Sequence, residues 1–197
     1  MGHYYTNETN LVSNIQKVSY TFKNQRLTFN TDSGVFCKDH IDFGTNVLLN
    51  SLPDLSGASD ALDVGCGYGL IGLSIAKGYP NLFVDMIDVN LRAISLSINN
   101  KGINGINNVN VFESNIYQNV DKKYDLIVTN PPIRAGKSVV HGIVIDGYNY
   151  LKESGAIYVV IQKKQGAPSL IEKMREVYSE VNILNKEKGY FIIEGKK

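Results

Sequence analysis

Three consecutive residues, Asn130, Pro131 and Pro132, follow an apolar run in the segment YDLIVTNPPIRAGK. The run predicts a buried strand, and the two prolines fix the backbone where that strand ends. The side-chain oxygen of Asn130 and the backbone carbonyl of Pro131 both accept hydrogen bonds, so they are suited to orient an NH2 group. A planar exocyclic or amide nitrogen is a poor nucleophile because its lone pair is delocalised. Two acceptors on its protons favour the pyramidal geometry that exposes this lone pair for attack.

A glycine-rich segment, LDVGCGYGLIG, places Gly65, Gly67 and Gly69 between a predicted strand and a predicted helix. Glycines at these positions let the backbone turn tightly and approach a ligand that a Cβ atom would push away. The start of the helix offers free amide protons and a partial positive charge, which suit a carboxylate. Asp63, at the end of the strand, is suited to accept from an ammonium group. We therefore predict that this segment, which includes Cys66, binds one end of an amino-acid-like ligand.

A second acidic residue, Asp88, closes the next predicted strand in VDMIDVN, with Val89 after it. It lies about 20 residues beyond the glycines, where a carboxylate commonly binds ribose hydroxyls. Asp85 lies earlier in the strand and is predicted to be a solvent-facing or structural acid. The glycines also satisfy the dinucleotide fingerprint G-x-G-x-x-G, so an NAD-dependent oxidoreductase is an alternative at this point. Hydride transfer has no need for the Asn130 arrangement, which disfavours that alternative.

The elements that position these residues alternate between strand and helix patterns, as in a parallel sheet covered by helices. Strands are predicted at ALDVG, LFVDMID, NVNVFE, YDLIVTN and AIYVVIQ, with helices after the first, second, fourth and fifth. In the helix after the second strand, Asn90 is predicted to cap the start and Gly102 the end, with Leu91, Ile94 and Ile98 on one face. Because ligands bind beyond the carboxyl ends of such strands, Asn130 is expected beside the glycines.

Further elements surround this core. At the N-terminal side, KVSYTF and RLTFN predict a hairpin turning through Lys23, Asn24 and Gln25, and FGTNVLLNSL predicts a helix ending before Pro53. Two late helices are predicted from apolar stripes. The stripe of the first consists of Val140, Ile143, Val144, Tyr148 and Leu151. The second helix starts near Pro168, and its stripe consists of Leu170, Ile171, Met174, Val177 and Tyr178. EVNILNK and GYFIIEG predict a terminal antiparallel pair, because a short turn permits no parallel crossover.

The predicted fold class is α/β, a Rossmann-like doubly wound sheet that is mostly parallel, with an antiparallel terminal strand and an N-terminal β-hairpin extension. We expect a single domain over residues 1–197, in which residues 1–55 form the hairpin and helix extension and residues 56–197 the Rossmann-like core. The start of the chain lacks the features of a signal peptide and no apolar run would span a bilayer, so we expect a cytoplasmic protein with no membrane partner.

The overall charge limits the kinds of partner. The formal net charge is +1, less than a protein that grips free nucleic acid through many phosphates normally carries. A nucleic-acid substrate would therefore need local positive patches, for which the candidates are Arg134 with Lys137, Lys163 with Lys164, and Lys186 with Lys188. The two cysteines, Cys37 and Cys66, form no C-x-x-C pair, so neither a metal site nor a disulfide framework is predicted.

Taken together, these motifs resemble the class I S-adenosylmethionine-dependent methyltransferases that modify guanine N2 in small-subunit ribosomal RNA. The resemblance covers nearly the whole chain, through VFCKDHIDFGTNVLL, LDVGCGYGLIG, IDVN, NPPIRAGK and IQKKQGAPS. It implies methyl transfer from S-adenosylmethionine to the exocyclic N2 amine of a guanine in 16S rRNA, with rRNA or an assembling small subunit as partner. The NPP element is shared with DNA adenine N6- and protein glutamine N5-methyltransferases, which are alternatives; an inactive RNA-binding module is a further one.

The resemblance also implies residue roles. Asp63, Gly65, Cys66, Gly67 and Gly69 match the cofactor loop, Asp88 with Val89 the ribose site, Asn115 the position that binds the adenine amine, and Asn130 to Ile133 the catalytic motif. Phe36 and His40 lie in the segment that covers the cofactor in relatives. Ile133 departs from the aromatic residue that often stacks on the target base. Either Tyr4, Tyr5 or Phe36 is expected to hold the base instead, or activity on free RNA is expected to be low. His141 is expected to be a packed residue and not a catalytic base.

Overall fold

The N-terminal extension forms a separate two-stranded sheet. In the computed structural model, which describes residues 13–33, 35 and 40–197, strand β1 (Gln16–Phe22) pairs antiparallel with β2 (Gln25–Thr31). The turn consists of Lys23 and Asn24, both with positive φ (45° and 63°). The hairpin prediction is confirmed, except that Gln25 belongs to β2. Helix α1 (Phe43–Ser51) follows and ends before Pro53, as predicted.

The central sheet has seven strands in the order β5-β4-β3-β6-β7-β9-β8. The strands are β3 (Asp60–Val64), β4 (Phe83–Asp88), β5 (Val109–Glu113), β6 (Tyr124–Thr129), β7 (Leu151–Gln162), β8 (Glu180–Glu187) and β9 (Tyr190–Lys196). Strands β3 to β7 pair in parallel, whereas β9 is antiparallel to both β7 and β8. The chain order reverses between β3 and β6, which is where an open α/β sheet binds its ligands. The predicted fold class is confirmed.

Within the described residues, α1 packs against β7, β8 and β9, and four further helices cover the sheet: α2 (Leu70–Gly78), α3 (Leu91–Ile103), α4 (Lys137–Asp146) and α5 (Ala167–Arg175). Residues of α1, α2, α3 and the β1–β2 hairpin share one apolar core, and residues of α4 and α5 contribute to a second. The hairpin is thus part of the packing and not a loose arm, since Leu27 and Phe29 are fully buried. Within the described residues, no helix is long and apolar enough to cross a bilayer.

Helix α3 differs from its prediction in two respects. Asn90 caps it as expected, with its side-chain oxygen accepting from the amide of Arg92 at 3.0 Å. However, Leu91 and Ile98 are exposed, at 48% and 52% of their surface. The buried face carries Ala93, Ile94, Leu96, Ser97 and Asn100. The left-handed residue beyond the helix is Gly105 (φ +60°) and not Gly102, because the helix continues one residue past Gly102.

The two late helices are shorter than their apolar stripes suggested. Helix α4 ends at Asp146, Tyr148 lies in a following 3-10 turn, and Leu151 begins β7. Helix α5 ends at Arg175, and the buried Tyr178 packs from beyond its end. Each predicted stripe combined residues inside the helix with residues that follow its C-terminal end, because the apolar side chains of both groups pack into the same core.

Ion pairs close the edge of the sheet at which the parallel strands begin, here called the amino edge. Lys152 lies 2.6 Å from Asp60 and 3.0 Å from Asp125, and Lys122 lies 2.9 Å from Asp85 and 3.2 Å from Asp60. Asp85 is thus the structural acid that the sequence allowed, and it is buried and not solvent-facing. The predicted site residues lie at the opposite, carboxyl edge.

Candidate active site

The glycine loop, residues 65–69, is held from two sides. The amides of Gly65 and Cys66 donate to the carbonyl of Ile87 in β4, at 2.9 and 3.0 Å. The hydroxyl of Ser97 in α3 donates to the carbonyl of Gly67 at 2.8 Å. Gly65, Gly67 and Gly69 all have positive φ (73°, 58° and 97°), a conformation that side chains disfavour. The loop is therefore a fixed wall at the carboxyl ends of β3 and β4.

Asp63 lies beneath this loop with one oxygen in use and one available. It is fully buried, and Oδ2 accepts from the amide of Gly72 at 2.8 Å. Its Oδ1 atom is also buried and has no hydrogen-bond partner among the described residues. Burial, together with the nearby charge of Asp88, raises the pKa of Asp63 to about 7. A buried carboxylate oxygen without a donor fits the ammonium group of an amino-acid-like ligand.

Gly72 has a structural role in this arrangement. A Cβ atom at this position would lie 2.7 Å from Met86 and 3.0 Å from Asp63 Oδ2. Because glycine has no Cβ atom, the Asp63 carboxylate can accept from the amide of Gly72. The presence of glycine at this position, which also fits the dinucleotide fingerprint, therefore has a reason unrelated to a dinucleotide.

Asp88 ends β4 and joins the loop to the adjoining strand. Its Oδ2 atom accepts from the amide of Gly67 and its Oδ1 from that of Asn90, both at 2.9 Å. A carboxylate oxygen can accept more than one hydrogen bond, so Asp88 remains a candidate acceptor for ligand hydroxyls. Val89 is half-buried after it, and the exposed Asn115 lies in the turn after β5, next to the Ser114 amide that donates to the Asp88 carbonyl at 3.0 Å. The predicted cofactor residues thus gather at one edge.

The NPP corner, Asn130 to Pro132, follows β6 beside the same loop. The hydroxyl of Thr129 donates to the carbonyl of Val64 at 2.8 Å, which joins the ends of β6 and β3. A Cβ atom on Gly65 would lie 3.9 Å from the Cδ of Pro132. Pro131 is buried and Pro132 half-buried. The corner and the glycine loop are therefore neighbours, as the strand order predicted.

The orientation of the Asn130 side chain is fixed by two residues of the first helix. Its Nδ2 atom donates to Asp42 Oδ2 at 3.0 Å and to Thr45 Oγ1 at 2.9 Å. A carboxylate accepts and cannot donate, so the nitrogen must face Asp42 and the oxygen must face elsewhere. Asp42 in turn caps α1, with Oδ2 accepting from the Thr45 amide at 2.7 Å.

The residue patterns did not indicate Asp42 and Thr45 as site residues. The available signal was an Asp three positions before a Thr at the start of an apolar helix, which indicates an N-cap. That signal says nothing about Asn130, because the contact depends on tertiary packing between α1 and the end of β6. Both residues nevertheless lie within the HIDFGT segment that carried part of the resemblance.

Ile133 supports the corner from one side. It begins a 3-10 turn, Ile133–Ala135, is half-buried, and packs against the apolar core that includes α4. It is therefore only partly available to contact a base. The aromatic residues expected to replace it, Tyr4, Tyr5 and Phe36, lie outside the described residues, as does Cys37. His40 is exposed. His141 is half-buried, and its pKa is lowered mainly by burial and also by the nearby positive charges of Lys137 and Lys173.

The site contains no metal centre within the part of the chain that the structure describes. No group of three or more His, Cys, Asp or Glu side chains is placed there to hold a metal ion. Cys66 is buried in the glycine loop as a free thiol, and burial raises its pKa well above the usual value. The groups that the described residues bring to this edge are fixed hydrogen-bond acceptors, which can orient a polar ligand.

Comparison with known proteins agrees with this arrangement. The sequence profile of the methyltransferase small domain family matches residues 26–194. The chain belongs to this family. Methyltransferase small domains of this type use S-adenosylmethionine as the methyl donor.

Two relatives are similar over most of this chain, and one of them is named for ribosomal RNA. The chain is 48% identical over 197 residues to the uncharacterized protein YbxB of Bacillus subtilis (strain 168), covering 99% of this chain and 98% of YbxB. It is 32% identical over 181 residues to ribosomal RNA small subunit methyltransferase C of Vibrio parahaemolyticus, covering 90% of this chain. The chain spans 51% of that relative's length.

A solved structure shows the same fold. The 16S rRNA N2 methyltransferase RsmC of T. thermophilus, in complex with AdoMet and guanosine, superposes with a TM-score of 0.82 at 23% identity. The match covers 95% of this chain and 52% of that one. This small domain therefore corresponds in fold to one half of the longer enzyme.

Proposed function

We propose that this chain transfers a methyl group from S-adenosylmethionine to the exocyclic N2 amine of a guanine in small-subunit (16S) rRNA. The observation that supports this best is the fixed Asn130 amide, whose nitrogen is bound by Asp42 and whose oxygen is left to accept from an NH2 group beside the glycine loop. The names of the Vibrio and Thermus relatives support guanine in rRNA as the substrate.

The cofactor residues have separate tasks in this proposal. Asp63 Oδ1 would accept from the ammonium group, which supplies the buried carboxylate with the donor it lacks in the protein. Asp88 would bind the ribose hydroxyls, and Asn115 the adenine amine. The remaining residues of the proposed cofactor site would line the pocket through their backbone and small side chains; these are Gly65, Cys66, Gly67, Gly69 and Val89. S-adenosylmethionine supplies a methyl group bound to a positive sulfonium, which an amine nitrogen can attack directly.

The protein contributes orientation to this reaction. Asn130 Oδ1 and the Pro131 carbonyl accept from the two amine protons and turn the nitrogen lone pair toward the donor side of the corner. Asp42 and Thr45 keep the Asn130 amide from rotating. The buried Pro131 and the half-buried Pro132 and Ile133 keep the backbone of the motif stiff. Orientation of this kind lowers the barrier without a protein nucleophile. As the nitrogen–carbon bond forms, the methyl–sulfur bond would break, a neutral thioether would leave, and the amine would release one proton to solvent.

The alternatives have less support. A protein glutamine or DNA adenine methyltransferase would share the NPP corner, but the Vibrio and Thermus relatives are named for ribosomal RNA. An NAD-dependent oxidoreductase is disfavoured because the sheet ends in the antiparallel β8–β9 pair and not in another parallel crossover. An inactive RNA-binding module is disfavoured by the intact Asp63, Asp88 and Asn130.

The deciding experiment is to identify which substrate receives a labelled methyl group. The protein is incubated with methyl-labelled S-adenosylmethionine and, in parallel, with small ribosomal subunits, naked 16S rRNA, duplex DNA and total cell protein, all from a strain lacking this chain. Nuclease digestion and mass spectrometry should then find N2-methylguanine from the rRNA or subunit reaction. Label confined to protein or DNA, with the ribosomal substrates unmodified, would overturn the proposal.

A further inference from the structure

A groove lined by lysines opens at the carboxyl edge, outside the cofactor residues. Its volume is about 590 Å³, and we call it the basic groove; its lining consists of Gln162, Lys163, Lys164, Pro168, Lys188 and Gly189. It forms where β7 ends against the β8–β9 turn, because the amide of Lys163 donates to the carbonyl of Gly189 at 2.8 Å. The sequence had marked these lysines only as candidate patches.

The basic groove is connected to the NPP corner through the start of α1. The ammonium group of Lys188 lies 4.5 Å from the ring centroid of Phe43, and the ring of Tyr190 lies 5.6 Å from it. Phe43 is the first residue of α1 and directly follows Asp42, which holds the Asn130 amide. Only a few residues of protein surface therefore separate the basic groove from the NPP corner, so an RNA strand bound along the groove would reach the corner.

The charges of the basic groove are uncompensated by the rest of the described chain. Lys163, Lys164 and Lys188 are exposed, and none of them forms an ion pair with a described residue. At the amino edge, by contrast, Lys122 and Lys152 are both paired with buried or half-buried carboxylates. Like charges gathered without counter-charges repel each other and attract a polyanion.

Neighbouring residues extend the same pattern. Arg134 and Lys137, which follow the NPP corner, are exposed and also lack an ion pair with any described residue, as does Lys186. The one carboxylate within the β8–β9 turn region is the exposed Glu187, between Lys186 and Lys188. Six cations without an ion pair to a described residue thus lie on or beside the edge that carries the NPP corner.

We infer that the basic groove binds the phosphodiester backbone of the RNA strand whose guanine enters the NPP corner, through Lys163, Lys164 and Lys188. The inference rests on the proposed function and adds the place at which the substrate is held. Lysines at such a groove position a strand through its phosphates and read no sequence, so the groove would set affinity and register while the corner selects the amine.

The test compares two double variants of equal charge. Lys164→Gln/Lys188→Asn removes two positive charges from the basic groove. Asparagine suits position 188, where φ is +46°, better than lysine does, so the turn is retained. Arg26→Gln/Lys123→Gln removes the same charge from two exposed residues away from the groove, one beside the β1–β2 turn and one just before β6. Steady-state methylation of the ribosomal substrate is measured over a range of KCl concentrations, with calorimetry for the cofactor.

The groove variant should raise KM for the RNA substrate about tenfold at moderate salt. The slope of log KM against log salt should fall by roughly 1.5, since each lost phosphate contact lowers that slope by about 0.7 to 0.9. Its kcat and cofactor Kd should match those of the control variant. Equal KM and salt slopes for both variants, with the wild type active on RNA, would overturn the groove inference alone. A wild type that labels only protein or DNA would overturn the proposed function as well.

Discussion

Asn130 and Asp42 lie 88 residues apart in the chain and are joined by a hydrogen bond of 3.0 Å from the amide nitrogen to a carboxylate oxygen. The bond determines which end of the Asn130 amide faces the cofactor side, because Asp42 cannot donate. The same Asp42 oxygen caps α1 through the amide of Thr45. The position of the Asn130 amide is therefore tied to the start of a helix that precedes the glycine loop.

Replacing Asp42 with asparagine tests this relationship. Asparagine is as good a helix N-cap as aspartate, so the melting temperature should change little. Its amide can present either a donor or an acceptor to Asn130, which lets the Asn130 amide rotate by half a turn. We expect kcat to fall about 10- to 100-fold, the scale of a misplaced reacting group, with an unchanged cofactor Kd. An unchanged kcat would show that the orientation is fixed by other contacts.

Asn130→Ala should abolish methyl transfer. It removes the acceptor for the amine while leaving Asp63, Asp88 and the glycine loop in place, so cofactor affinity by calorimetry should stay within about twofold of the wild type. The loss of a donor to the buried Asp42 should cost about 1 kcal/mol of unfolding free energy. Asn107→Ala, at an exposed position after α3, is the matched control. Full activity of Asn130→Ala on the ribosomal substrate would refute its catalytic role.

The buried Asp63 should make the stability of the cofactor-free protein depend on pH. Burial raises the pKa of Asp63 to about 7 from an ordinary value of 3.8, so the folded state binds the proton more tightly than the unfolded state does. The contribution of Asp63 to stability is therefore greatest below about pH 4 and is lost as pH rises through 7. Asp63→Asn, which is neutral throughout, should gain stability relative to the wild type between pH 5 and 8. Thermal melts across that range measure the difference, and a pH-independent difference would contradict the assignment.

The same group should link cofactor binding to proton release. An ammonium group next to Asp63 favours the ionised carboxylate, so binding below about pH 7 requires Asp63 to lose a proton. We expect the affinity for S-adenosylmethionine to weaken as pH falls below 7. Calorimetry at pH 6 in two buffers of different ionisation enthalpy should show proton release by the wild type, which Asp63→Asn should lack. Equal proton release by both proteins would assign the linkage to another group.

The sequence predicted the strand and helix order well because that order is encoded locally. Alternating apolar runs, the glycines and the Asn90 cap act over a few residues, and the parallel topology then places Asn130 beside Gly65. The Asp42–Asn130 contact had no local signal. It depends on how α1 packs against the end of β6, and residue patterns within one element do not report such packing.

Helix α3 shows the second reason for error. Its apolar pattern placed Leu91 and Ile98 on the buried face, but the structure buries the polar Ser97 and Asn100 there. Ser97 binds the Gly67 carbonyl, and Asn100 exchanges hydrogen bonds of 2.7 and 2.9 Å with the backbone of Asn30 in β2. Apolar periodicity fails where a helix binds backbone groups through polar side chains.

Asn100 has one more partner, the carbonyl of Tyr68 in the glycine loop, at 2.8 Å. The side-chain amide of Asn100 thus connects the β1–β2 hairpin with the glycine loop, while Asn104 binds the backbone of Thr28 in the same way. Deleting the hairpin would leave these amides and the underlying apolar surface of α2 and α3 open to water. The smallest autonomous piece of this chain is therefore expected to start at β1, and a shortened protein beginning near residue 56 should take up the methyl donor poorly even if its central sheet still assembles.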